Sequence, residues 1–215
     1  MSIKLQHSGG NSVSLNPPTS APTSSEIAFK LPNADGSANQ VIKTDGSGNL
    51  GFVSVAGGLF SSYAIIADRK SNGTNGGGSG APNTWFVRNL NTEIADPDSI
   101  VSISSNQFTL TAATYLIKWT CPAIRTQTYM TALYNVTDSA YSAYGESGYS
   151  YGADGDTSHA SGIARITISG TKVFEIRMIV EDNNSSSAQL LGRPTNLSNF
   201  SGDETYTVVE IYKES

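Results

Sequence analysis

Residues 172–180, KVFEIRMIV, put Phe174, Ile176, Met178 and Val180 on one side of an extended chain and Glu175 and Arg177 on the other. Successive side chains of a strand point to opposite faces, so this alternation describes a half-buried strand and not a helix. Ala113, Tyr115, Ile117 and Trp119 repeat the pattern. Nowhere does a run of apolar residues follow the 3.6-residue period of an amphipathic helix. The same texture predicts strands at 61–68, 84–91, 100–104, 106–111, 114–121, 128–136, 141–150, 161–169, 172–180 and 204–213. Many short strands separated by turn residues imply an all-β sandwich or jelly roll.

Charge narrows the possible partners. Charged residues make up 14% of the 215, against roughly 25% in ordinary globular proteins. Polar surface must come from Ser, Thr, Asn and Gly, which favour turns and strands over helices. Net charge is −5, and Lys and Arg are scattered singly. That removes the basic footprint expected for nucleic acid or for an anionic membrane. No apolar run reaches the ~18 residues of a membrane helix. The N-terminus MSIKLQHSGG lacks an apolar signal core, so synthesis in a cytoplasm without ordinary export is expected. Cys121 stands alone, in a predicted buried strand, which favours an inert thiol.

The first 57 residues have a different grammar. SIKLQ and SVSLN, with Ile3, Leu5, Val13 and Leu15 as apolar positions, read as a hairpin around HSGGN, or else as a frayed tail. A Pro/Ser/Thr-rich linker follows and closes a segment at 26. Residues 33–52 then state one phrase twice, NADGSANQVI and KTDGSGNLGF. Asp-Gly is a strong turn dipeptide, so each copy reads as a turn followed by strand-like residues. Such a unit cannot bury an apolar face alone. Three chains side by side would bury Ile42, Leu50, Phe52 and Val53 along a shared axis; two coincidental turns in a loop is the plainer alternative. The organisation is therefore 1–26 hairpin and linker, 27–57 turn-rich shaft, and 58–215 head.

The blocks ADRKSNGTNGG, TWFVRNLNT, DPDSIVSISSNQFTLTAATYLIKW, ALYNVTDS, GTKVFEIRM and DETYTVVEIYKE together resemble a C-terminal domain of bacteriophage tail-fibre and virion-surface proteins, of the marine and cyanobacterial phage type. That domain is similar to the C1q/TNF-type jelly roll, and the resemblance covers about residues 60–215. LPNADGSANQVIKTDGSGNLGF likewise resembles the shaft-to-head linker before such domains. One departure is Ala113, where the family pattern has Gly. The resemblance implies a homotrimer on a virion, with the N-terminal hairpin (Ile3, Leu5, Val13, Leu15) attached to other tail or capsid proteins. The head would bind a host-surface glycan or protein. A trimeric capsid decoration protein clamped by its N-terminal arm is the alternative, and a lectin-like protein outside any virus a third.

With that strand order, strands 61–68, 114–121, 161–169 and 204–213 would form the sheet facing the threefold axis. Tyr63, Tyr115, Trp119, Tyr206 and Tyr212 would divide between core and trimer interface. Tight turns at 104–107, 111–114 and 168–172 would lie beside the termini. Polar loops at 69–83, 122–128, 150–160 and 181–202 would lie at the opposite end, where receptor binding is expected. Their candidates are Arg69, Arg125, Tyr151, Asp154, Asp156, His159, Arg193 and Asn196. The arginines suit acidic sugars or phosphate. Tyr141, Tyr144, Tyr149 and Tyr151 form a Tyr/Ser/Gly mixture like that of antibody loops; the alternative is that strand residues among them turn inward.

Catalysis is not expected. Asp156, Ser158 and His159 are too close in sequence to converge as a triad, and no G-x-S-x-G turn exists. Asp154 and Asp156 lack the further ligands of a calcium loop, and His7 and His159 lack zinc-ligand spacing. No cofactor or metal is expected.

Overall fold

The alternating segments pair into antiparallel sheets throughout, and among the described residues no helix forms. The computed structural model describes residues 3–16, 18–23, 28–54, 58–78, 81–150, 157–182, 189–195 and 197–215. The chain divides into two units, Met1–Ala56 and Gly57–Ser215.

In the first unit, β1 (Ile3–Gln6) pairs with β2 (Ser12–Leu15), the hairpin that the alternation predicts. β3 (Gln40–Thr44) pairs with β4 (Leu50–Ser54), so the two copies of the repeated phrase become the two arms of one hairpin. The second Asp-Gly-Ser is its loop. Asp45 accepts hydrogen bonds from the backbone N–H of Ser47 (2.7 Å) and Asn49 (3.1 Å) and from the Asn49 amide (2.6 Å). Those donors, the Asn49 side chain first, hold its carboxyl below the ordinary range. Gly46 takes φ +85°, a conformation that L side chains resist. The first Asp-Gly-Ser precedes β3, and its Gly36 lies directly against the Phe52 ring. The hairpin leaves Val41, Ile42, Phe52 and Val53 exposed, Ile42 at 57%.

The second unit is a jelly-roll sandwich. Its first sheet comprises β5 (Phe60–Lys70), β7 (Thr92–Ala95), β10 (Ala113–Ile124), β13 (Thr157–Ile168) and β15 (Glu204–Glu214), in the order β13-β10-β15-β5-β7. The second comprises β8 (Val101–Ser104), β9 (Gln107–Leu110), β11 (Gln127–Asn135), β12 (Ala140–Ser150) and β14 (Lys172–Val180), in the order β12-β11-β14-β9-β8. A short β6 (Phe86–Val87) pairs with β14. The chain changes sheet at most connections, which is what wraps a jelly roll. The four strands expected to share a sheet do so. Of the segment 84–91, only Phe86 and Val87 form a strand, and β7 had no forecast because TEIA is too short to show a period.

Inward residues of both sheets make one core. Tyr115, Ile117, Trp119 and Cys121 of β10 meet Phe174, Ile176, Met178 and Val180 of β14, all buried. The Trp119 indole N–H donates to Thr131 Oγ1 across the sandwich at 2.9 Å, which satisfies its only polar atom. Gly162 on β13 lies against the indole ring, leaving no room for a Cβ. Gly162→Ala should therefore overpack this contact and destabilise the head by about 1–3 kcal/mol, read as a lower midpoint in denaturant melts.

Candidate functional site

Strand registers place the two ends of the sandwich. Ala113 faces Ile168 and Leu110 faces Lys172, at the end where Ser215 N–H donates to the Leu59 carbonyl (3.2 Å). Lys70 faces Glu204, Ile124 faces Thr157 and Gln127 faces Ser150 at the other. The tight turns lie at the first end, and the described residues of 71–83 and 181–202 at the second, as expected. The exceptions are 157–160, which form the start of β13, and 122–128. β10 runs to Ile124 and β11 begins at Gln127, so this connection is a turn with Arg125 and Gln127 at positive φ. Its residues Pro122, Ala123, Ile124 and Thr126 are buried, and it is no open loop.

One residue anchors the far end. Arg88 is fully buried. Its Nε donates to Thr207 Oγ1, Nη1 to the Pro122 carbonyl and Nη2 to the Leu191 carbonyl, each at 3.0 Å. Burial pulls its pKa down. Segments 71–78 and 189–195 are then joined by Gly76 N–H to the Gly192 carbonyl (2.8 Å) and Leu191 N–H to the Gly77 carbonyl (2.9 Å). Glu204 accepts from the N–H groups of Gly73 (3.2 Å) and Thr195 (2.9 Å). The Tyr206 hydroxyl donates to the Thr74 carbonyl at 2.6 Å, and burial with nearby Glu204 pushes its pKa up to about 12.

The expected receptor residues do not form one cluster. Arg69 pairs with Asp203 at 3.4 Å. Arg125 is half-buried, with its backbone N–H on Ser150 Oγ (3.1 Å). His159 is exposed on β13 opposite Pro122, and Arg193 is exposed beside Gly192. Tyr151, Asp154, Asp156 and Asn196 lie outside the described residues. So do the side chains of Ile3, Val13 and Leu15; Leu5 is exposed. Among the described residues no three His, Cys, Asp or Glu side chains gather into a metal site.

The aromatic residues assigned to core or interface separate by strand parity. Tyr115 and Trp119 are core, with the Tyr115 hydroxyl donating to the Thr111 carbonyl (3.1 Å), and Tyr206 is buried at the far end. Tyr63 and Tyr212 face outward and are paired across β5 and β15. The outward face of this sheet has two clear rows. Arg165, Leu116, Tyr212 and Tyr63 make one, and Ile163, Lys118, Glu210 and Ile65 the next. Ile163 is 60% exposed and Tyr63 44%. Arg165 grips Glu214 through two bonds of 2.7 Å, which holds that carboxyl below its ordinary range.

The sequence marks Tyr141 and Tyr144; what it does not show is that Trp85, Tyr134 and Arg177 join them on the outer face of the other sheet. Trp85, Tyr134, Tyr141 and Tyr144 converge there, with ring centroids 5.0–5.1 Å apart for Tyr134–Tyr141, Tyr141–Tyr144 and Trp85–Tyr141. Arg177 stacks on Tyr134 with its guanidinium carbon 3.3 Å from the ring centroid. The signal was present in the outward parity of Arg177 on β14, but Trp85 lies outside any regular strand.

No family model and no curated protein matches the chain. Solved structures similar to it include the globular domain of zebrafish complement 1qA protein (13% identity, 70% of this chain and 95% of that chain, TM-score 0.42). Murine APRIL at pH 5.0 is similar at 7% identity over 71% of this chain and 98% of that chain, with a TM-score of 0.46. The PRD1 vertex protein P5 is similar at 10% identity over 74% of this chain and 100% of that chain, also at 0.46.

Asp68 offers a pH test of the far end. It is fully buried, and its Oδ2 has no donor. Burial raises its pKa from 3.8, against the opposing pull of Lys70 at 3.3 Å. The folded chain thus holds this proton more tightly than the unfolded chain does. The resulting stability is complete below the unfolded value and is lost as pH rises through the raised one. Asp68→Asn should flatten the fall in melting temperature as pH rises above about 4.

Proposed function

We propose that the chain is a virion structural protein that works as a homotrimer, with the sandwich as a head that binds a host-surface receptor during adsorption. The observation carrying this reading is the outward face of the β13-β10-β15-β5-β7 sheet. A folded monomer gains nothing from displaying Ile163, Leu116, Ile65, Tyr63 and Tyr212 side by side in two rows. Interfaces between identical subunits are rich in such apolar and aromatic side chains, here with the Lys118–Glu210 pair among them. The β3–β4 hairpin makes a second, separate demand, because a two-stranded sheet with exposed Val41, Ile42, Phe52 and Val53 is marginal in water by itself. Three copies would meet both demands.

The virion assignment rests on the sequence resemblance of residues 60–215 to phage fibre and virion-surface heads. In that setting residues 1–57 are the attachment and shaft region, and the Arg88-braced far end carries the variable loops. Three heads on one particle would turn weak single-site binding into useful avidity. The role is one of assembly and recognition, without catalysis or a cofactor.

Two measurements test this. Light scattering on the purified chain should give three copies per particle. Ile163→Glu, placing a charge at the most exposed of these apolar positions, should give folded monomers with unchanged far-ultraviolet circular dichroism; a wild-type monomer at micromolar concentration would reject the trimer. Gold-conjugated antibody against residues 60–215 should decorate tails or projecting fibres of virus particles. Gold spread over the heads would instead make this a capsid decoration protein, with its function in the N-terminal unit.

A further inference from the structure

A regular strand cannot put Tyr141 and Tyr144 on the same face, since they are three residues apart. β12 does so through a bulge. Leu133 faces Ala143 but Tyr134 faces Tyr141, so Ser142 is the extra residue and the phase of the strand resets. Both tyrosines then point away from the core, with Tyr144 58% exposed. Trp85, from the segment ahead of β6, lies with its ring centroid 5.1 Å from Tyr141 and 6.2 Å from Tyr144. Tyr141 and Tyr144 are nearly parallel at 26°. The result is a broad aromatic surface and not a set of isolated rings.

The polar groups at its edge are fixed in place. Glu175 is buried and accepts Arg177 Nε at 2.6 Å and Gln107 Nε2 at 2.8 Å. Arg177, neutralised by Glu175, packs flat on Tyr134, a cation–π arrangement. Two rows further along β11, the face becomes a shallow groove of about 640 Å³ lined by Asn83, Thr128, Met130, Ser147, Ile179 and Glu181. Glu181 accepts from Thr128 Oγ1 (2.6 Å) and its N–H (3.2 Å), which lowers its pKa and keeps it ionised. From Tyr134 to Thr128 the strand advances about 20 Å.

We infer that this face, Trp85, Tyr134, Tyr141 and Tyr144 continued by the Thr128–Glu181 groove, is a binding site for a neutral oligosaccharide of hexopyranose units. A pyranose ring has one side made largely of C–H groups carrying partial positive charge, and an aromatic face carries the complementary negative quadrupole. Its hydroxyls need donors and acceptors beside that contact, which Thr128, Ser147, Asn83 and the Glu181 carboxylate supply in the groove. Charge selects within the class. Arg177 is already paired and Glu181 is anionic, so an acidic sugar or a phosphate meets no unpaired cation here and one repelling carboxylate. The surface lies on the side of the sandwich, away from the loop segments where the sequence directs attention. The inference holds wherever the chain sits on a particle, and for a receptor-binding head it names the receptor chemistry.

The test titrates the full chain with pentasaccharides of β-1,4-glucose, α-1,4-glucose, β-1,4-mannose and β-1,4-galactose, with a sialylated and a phosphorylated oligosaccharide alongside. The chain has two tryptophans, and Trp119 is sealed in the core, so a change in tryptophan emission reports Trp85. At least one neutral pentasaccharide should quench this emission and bind more tightly than its monosaccharide. Trp85→Ala (followed by calorimetry) and Tyr144→Ala should each weaken binding about tenfold. Thr128→Ala should weaken the pentasaccharide but not the monosaccharide. Three outcomes would overturn the inference. These are binding of none of the neutral sugars at millimolar concentration, binding of the charged ones alone, and full affinity in Trp85→Ala and Tyr144→Ala proteins. A melting curve on each variant separates lost contact from lost fold, and Tyr144, being mostly exposed, is the position least able to confuse the two.

Discussion

The guanidinium of Arg88 is the constraint around which the head is arranged. It is a charge with no exposed surface, and such a charge is tolerated only when its donors are met. Its guanidinium donates to oxygens on β15, the last turn of β10 and the segment at Leu191 and to Met178 Sδ of β14 (3.6 Å), while its own N–H holds the Ile176 carbonyl of β14 at 2.8 Å. One side chain therefore ties both sheets to the segments that close the far end. The planar fork makes this possible, since a lysine offers a point charge without the divergent geometry. Loops on such stems can differ in sequence at their tips while their bases stay put.

The sandwich was legible because so many strands alternate cleanly. β10, β14 and β15 each show one apolar face in the sequence, and their pairing follows from the jelly-roll order. Parity was harder wherever both faces carry aromatic residues. Tyr115 and Tyr63 look alike in sequence, yet one is core and the other faces outward, because only the packed sheets decide which side of a strand is inside. Arg88 read as one more polar residue in a strand, since nothing local marks a buried charge whose partners lie 34, 103 and 119 positions away. The bulge at Ser142 was invisible for a related reason. It is defined by β11, not by β12 alone.

The repeated phrase shows how equal words acquire unequal roles. Both Asp-Gly-Ser copies begin a strand, but only the second is a hairpin loop with its aspartate fully engaged. The first gives Phe52 a place beside a glycine without a side chain. Pairing within one chain satisfies the backbone of β3 and β4 and leaves their apolar side chains unsatisfied. Hydrogen bonds here are solved locally, and burial is left to a higher level of organisation.

The bulge in β12 also governs how this surface can change over generations. Exchanging one side chain for another at Tyr141 or Tyr144 alters what the face can touch and leaves its frame intact. Losing Ser142 would leave the two rings two residues apart, the spacing at which a regular strand puts both on one face, so the bulge can go without turning either ring inward. Exchange at Tyr141 or Tyr144 and loss of Ser142 are thus both changes that this face can absorb. The far-end segments, anchored at their bases by Arg88 and Glu204, place no such register on what lies between.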